Sequence, residues 1–383
     1  MRSRKIARPR ASPGGDPNRE SAAVGPPPTH ATADLTWDQA RRAILPLMRA
    51  DDRASIVGIT REYAYLIVVL SACAWVQGRW RAGDLPTYAF LPAAVVGAAA
   101  VAAGQHRLSG LAHDASHGVL FRGRLVNDLA SDLLLMFPLL AYTQTYRAAH
   151  LGHHRWVNDP ARDPDLVRLN TPTPLRFPMP KRRFWRRYVV DALWPPSALG
   201  YLLGRFKAAN RPAVDGPEIH APYRRRVAGC LRGAYWLVLL GAIQAAHAWP
   251  AFLAFWVAPL LTFYPLFMQL REVAHHANAP DDGDLTNSRV FRVHPLLHFA
   301  VFPHGQAFHL THHLFAMVPG HKVAEADATL RRHPPYREQV VVCRGYFFRT
   351  RGTIGPSVLD LLAAESPRGR EPHPRLDARV RSS

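Results

Sequence analysis

Hydrophobic positions in this chain fall into long unbroken runs, not into the alternating or one-faced patterns of a soluble protein. Between Arg232 and Arg271 there is no Lys, Arg, Asp or Glu. A helix needs about 20 apolar residues to cross a bilayer, so the run predicts two crossings joined near "HAWP", His247 to Pro250. Pro250 and Pro259 argue against one long buried helix. Upstream, "AYLIVVLSACAWVQG" (64–78) and "YAFLPAAVVGAAAVAAG" (88–104) form a second pair across the short polar turn "RWRAGD". The Gly/Ala content of the second run permits close helix contact. Segments 125–142 and 191–206 mix Leu and aromatics with charge. They read as interfacial or re-entrant helices, with buried core helices as the alternative. The expected fold is all-α integral membrane, with about four transmembrane helices in two hairpins.

Composition refines this picture. The 383 residues carry a net charge of +20 at a sequence pI near 10.8, a balance that suits nucleic acid, an anionic membrane surface or an acidic partner. No nucleic-acid motif is present, and the runs between basic stretches are too apolar for a soluble reader. The segment 181–232 contains "KRRFWRR", "RFK" and "YRRR"; by the positive-inside rule it faces the cytoplasm. Residues 1–34, rich in Pro, Gly and Arg without an apolar core, read as a disordered cytoplasmic arm and not a signal peptide. Residues 366–383 read as a disordered tail, which leaves 35–365 as the membrane domain. Cys73, Cys230 and Cys343 form no CxxC pair, so metal chemistry here is histidine chemistry.

The chain has 20 histidines, and their spacing matters more than their number. "YRAAHLGHHRWVND" holds His150, His153 and His154, offsets that share one helix face within roughly 100° of arc. "HLTHH" repeats the spacing as His309, His312 and His313, and "HDASH" gives His113 and His117. Convergent imidazoles point to zinc, copper, iron or nickel. An even number of crossings separates the three boxes, so all lie on one side of the membrane. His106, His247, His294, His298, His304 and His321 fit no box and read as packing or surface histidines.

These boxes and their contexts, "LAHDASHGVLF", "YRAAHLGHHRWVND" followed by "DPD" (163–165), and "FPHGQAFHLTHHLFAMVPGHK" (302–322), resemble the membrane fatty acid desaturases from about His106 to His333. The resemblance implies two irons held by eight or nine histidines in a cytoplasmic helical cap. One further ligand follows the fourth span, where "LREVAHHANAP" (270–280) matches at His276. His275 stands where many relatives have glutamate, and Ala316 where they often have proline, which implies a local loop effect. The implied ligand set is His113, His117, His150, His153, His154, His276, His309, His312 and His313. Asp114, Asn158, Asp163, Asp165 and Glu272, with His275, are candidates for contacts behind the ligands.

The implied activity is O2-dependent desaturation of an acyl chain on a lipid or thioester. Hydroxylation or ketolation of an alkyl, carotenoid or amino-acid-derived substrate is the alternative, because the boxes specify a metal centre and not a product. Desaturation consumes dioxygen and two electrons beyond those taken from the substrate. No flavin, nicotinamide, haem or iron–sulfur motif occurs, so an external donor such as a ferredoxin with its reductase is expected. The implied location is multi-pass in a bacterial inner membrane, with termini and active site cytoplasmic. A histidine-based metal transporter is disfavoured, since transporters place ligands near the bilayer midplane and the boxes here lie outside the apolar runs. A zinc hydrolase would be expected to carry HExxH, and none occurs.

Overall fold

The computed structural model describes residues 33–169, 177–209, 221–279 and 283–364. The chain divides into two units, Met1–Asp34 and Leu35–Ser383. The expected arm, apart from residues 33 and 34, and the expected tail lie outside the described residues.

The described part of Leu35–Ser383 is mostly helical. Helix α1 (Trp37–Ile44) opens with a capping box: the Thr36 hydroxyl accepts from the Gln39 N–H and the Gln39 side chain accepts from the Thr36 N–H. This pairs two donors that a helix start leaves open. Helices α2 (Asp52–Arg81) and α3 (Thr87–Ser116) have 30 residues each and pack together. Both extend past the apolar runs, over 52–63 and 105–116, by about 15–18 Å at 1.5 Å per residue. Helix α3 therefore carries its apolar run straight into the His113 box.

Helix α4 (Arg124–Ser131) continues through π and 3-10 turns to Leu139, and the chain bends by 91° into α5 (Thr143–Arg155). A bend of this kind marks a broken span or a re-entrant segment; of these, the composition of 125–142 suggests only the second. Next come α6 (Pro164–Leu169), α7 (Lys181–Trp185), α8 (Pro195–Ala209) and α9 (Arg225–Ala245). The fourth apolar stretch, Trp249–His276, is interrupted: α10 (Trp249–Phe252), a π turn, α11 (Ala258–Leu260) and α12 (Phe263–His276). Pro250 and Pro259 sit in the first turns of α10 and α11, where a helix needs no N–H. Among the described residues, four helices, α2, α3, α9 and the interrupted fourth, are long and apolar enough to cross a membrane.

After α12 come β1 (Arg289–Arg292), α13 (Pro295–Val301), α14 (His309–Leu314), α15 (Val323–Leu330), α16 (Pro334–Gln339), β2 (Val341–Arg344) and α17 (Val358–Ala363). The strands pair in parallel, Arg289 opposite Val341 and Arg292 opposite Arg344. The hydropathy pattern did not predict this small sheet, which closes the segment containing α14.

One apolar cluster joins α2, α3 and the fourth stretch through Leu66, Leu108, Phe255 and Met268. A second packs α12 against the strands and α17 through Val273, Phe291, Phe302 and Leu359. A third holds α1 to α14 and α15 through Ile44, Leu310 and Ala326. Buried polar contacts align what packing leaves free. Arg107 on α3 donates to both carboxylate oxygens of Glu62 on α2, at 2.5 and 2.7 Å, and to Phe299 O at 3.3 Å. His304 Nε2 lies 3.4 Å from the same carboxylate. His106 Nδ1 lies 2.6 Å from Ala300 O, and Arg271 donates to Gln306 Oε1 at 3.2 Å. The stretch 299–306, which leads into α14, is thus tied to α2, α3 and α12.

Candidate metal centre

The nine histidines of the ligand set converge from four segments: the end of α3, α5, the end of α12 and α14. They form two groups, His113, His117, His150, His154 and His312 in one, and His153, His276, His309 and His313 in the other; within each, the ligand atoms lie within 4.8 Å of one another. The helical repeat explains the division. In α5, His150 and His154, four apart, join the first group, while His153, three along, points to the second. In α14 the assignment reverses: His309 and His313 join the second group and His312 the first. Each HxxHH box therefore serves both groups.

Distances between ring nitrogens fit shared cations. In the first group His150 Nε2 is 2.9 Å from His117 Nε2 and 3.2 Å from His154 Nε2, which is 2.9 Å from His312 Nε2. In the second, His276 Nε2 stands 3.2, 2.8 and 3.1 Å from the Nε2 atoms of His153, His309 and His313. One N–H cannot serve three acceptors at once. Imidazoles bound to a first-row divalent metal at roughly 2.0–2.1 Å stand about 3 Å apart on adjacent positions of an octahedron. His113 Nε2, buried, has no hydrogen-bond partner among the described residues and supplies a further free donor. The residues present thus fit two metal ions.

Charge states agree for all of the set but His153. Burial, reinforced by neighbouring imidazoles, holds His117, His150, His154, His309, His312 and His313 well below the ordinary imidazole range, so they are neutral and able to ligate. Burial acts on His153 in the same direction, but the charge and hydrogen bond of Asp163 overcome it and raise the group to about 9. Its Nδ1 donates to both Asp163 oxygens, at 2.9 and 3.0 Å, which leaves Nε2 aimed at the second group. Asp163 also accepts the backbone N–H groups of Asn158 and Asp165, at 3.0 and 2.9 Å. His154, His276 and His313 keep some accessible surface while the other six are buried, so the pair of groups is open on one side.

The expected contacts behind the ligands divide. Asp163 orients His153 directly. Asn158, at φ 61, donates its amide to Asn287 O at 2.9 Å, and the same carbonyl lies 3.0 Å from His276 Nδ1. Asp114 lies 3.7 Å from His113 Nδ1, beyond hydrogen-bond reach. It accepts instead from Gly320 N at 2.9 Å and so pins the loop after α14. Asp165 contributes its N–H to the Asp163 turn. Glu272 pairs with Arg205 of α8 rather than with a histidine. His275 joins neither group: its ring stacks on His309 with centroids 3.5 Å apart, beside Phe291 and Phe302. Ala316 lies in a turn closed by Val318 N donating to Phe315 O at 3.0 Å.

The six histidines read as packing or surface residues, His106, His247, His294, His298, His304 and His321, lie outside both groups; His294, for example, caps α13 by accepting from Leu296 N. Sequence reasoning missed Asn287, which acts through its backbone, and Arg205, which carries no motif. It also missed Tyr146, whose ring stacks on His150 at 5.5 Å. Tyr146 lies one helical turn before His150, a spacing that could have revealed it.

The chain aligns over 334 residues with the dihydrorhizobitoxine desaturase of Bradyrhizobium elkanii, at 25% identity, covering 84% of this chain and 87% of that protein. The sequence model of the fatty acid desaturase family matches residues 87–345, from the first residue of α3 to the glycine after β2. All nine converging histidines fall inside that match, and the chain belongs to the fatty acid desaturase family, membrane-bound oxidoreductases that use a di-iron centre.

Proposed function

We propose that this chain is an O2-dependent desaturase with an iron in each histidine group. The observation that carries the reading is the reciprocal division of the two HxxHH boxes between two groups. In balanced form, a –CH2–CH2– unit, dioxygen, two electrons and two protons give –CH=CH– and two waters. The metal pair, when bound, supplies the oxygen activation that an unactivated C–H bond requires. The chain's own residues hold the ligands other than His153 neutral, aim His153 through Asp163, and brace His150 and His309 with the rings of Tyr146 and His275.

The first reading of the substrate is an acyl chain on a lipid or thioester. A second reading, a compound related to dihydrorhizobitoxine, is favoured by the near full-length match to a desaturase named for it. The test is expression in a desaturase-free host with a ferredoxin and its reductase, followed by mass spectrometry of lipids and small metabolites. A product two hydrogens lighter that requires iron, oxygen and the donor is expected. A product one oxygen heavier instead would make the enzyme a hydroxylase.

We further propose two hairpins within the 35–365 membrane domain. The histidine cap, the 181–232 segment and both termini would face the cytoplasm of a bacterial inner membrane. The basic residues of 181–232 and the even number of crossings support this. Reporter fusions at residue 208 and beyond residue 366 are both expected to report the cytoplasm; opposite readings would remove the topology.

A further inference from the structure

Beside the histidine groups lies a set of charged and phenolic side chains that ligand geometry does not use. Arg205 on α8 donates through Nη1 to Glu272 and to Tyr201 OH at 3.4 Å. Glu272 is four residues before His276 on α12, so the two side chains are neighbours about 5–6 Å apart at Cβ. Tyr146 feels the charges of Arg205, Arg271 and Asp165, and burial pushes its hydroxyl up to about 12. Yet Tyr146 and Arg205 both keep accessible surface, 23% for the Arg205 side chain. Both are thus partly accessible, Tyr146 against the ligand His150 and Arg205 against Glu272, one helical turn before His276.

Among the described residues, Nε and Nη2 of Arg205 donate to nothing. These two N–H groups form one edge of the guanidinium, the edge that takes a carboxylate through two parallel hydrogen bonds. A hydrocarbon placed against this edge would displace water and leave it unpaired, which is costly. We propose that Arg205 receives a free carboxylate of the substrate, so the bond oxidised lies only a few carbons from an acid group. The assignment rests on the desaturase reading and narrows it: an ester or thioester has no such group, whereas a small acid does.

The test is equilibrium binding to the iron-loaded protein in nonionic detergent, with hexanoate and its neutral counterpart hexanamide as probes. Hexanoate is expected to bind at least about tenfold more tightly, as a charge-assisted bidentate pair does against a neutral one. Arg205→Gln should bring the two probes to equal affinity at unchanged iron content, and Arg205→Lys should retain part of the preference. Glu272→Gln, which removes the competing carboxylate, should tighten hexanoate. Arg186→Gln, on the exposed basic face of the 181–190 segment, should change nothing. Equal binding of both probes to the parent protein would overturn the proposal. So would a preference that survives Arg205→Gln but falls with Arg186→Gln. Because the readout needs no turnover, its failure is separate from failure of the desaturase reading, which the oxygen- and iron-dependent product tests.

Discussion

Replacing His276 with alanine is expected to leave the purified, iron-loaded chain with about one iron instead of two, and to lower turnover by more than about a hundredfold. Loss of residues that merely orient ligands already costs 10–100-fold in affinity or activity, and His276 stands within 3.2 Å of three other ring nitrogens. The adjacent substitution gives the contrast. His275→Phe should keep both irons, because a phenyl ring can occupy the same place against His309 between Phe291 and Phe302. Metal analysis and activity on the two variants decide the matter. Two irons in His276→Ala together with loss of iron in His275→Phe would reverse the roles given to these neighbours.

The second large effect is on stability. Arg107→Met should destabilise the fold by up to about 3–5 kcal/mol, the usual cost of breaking a buried ion pair, reduced by the contacts that Arg61 and His304 keep with Glu62. Glu62 is 1% exposed and Arg107 8%, and two hydrogen bonds join them. The double variant Glu62→Leu with Arg107→Met should recover most of that loss, since no charge then stays unpaired. Thermal unfolding in detergent reads both. An Arg107→Met protein as stable as its parent would show that the pair holds nothing, and that apolar packing alone seats the 299–306 stretch.

How much of this was legible beforehand depends on how local the cause is. The four apolar stretches and the eight box histidines could be read directly, because crossing length and helical spacing are properties of neighbouring residues, whereas His276 came only with the family resemblance. The partners of Glu272 and Asp114 could not. Both look like acids available to a metal ligand, but Arg205 arrives from 67 residues away and Gly320 from 206 away. Glu62 was a missed signal of another kind: a carboxylate two residues before an apolar run is costly to bury, and its presence asks for a cation on a neighbouring helix. The β1–β2 pairing joins strands of four residues, too short for alternation to stand out.

The reciprocal boxes turn residue spacing into an address. On a helix, an offset of four returns about 40° past the starting direction and an offset of three falls about 60° short of it. The two readings lie on either side of the first histidine, and each box uses one for each metal. Deleting a single residue between His150 and His153 would rotate both later rings by about 100° and misdirect one ligand for each metal together. Neither histidine group can therefore drift independently of the other: an insertion or deletion in either short helix damages both, and only substitutions that keep the count can be tolerated there.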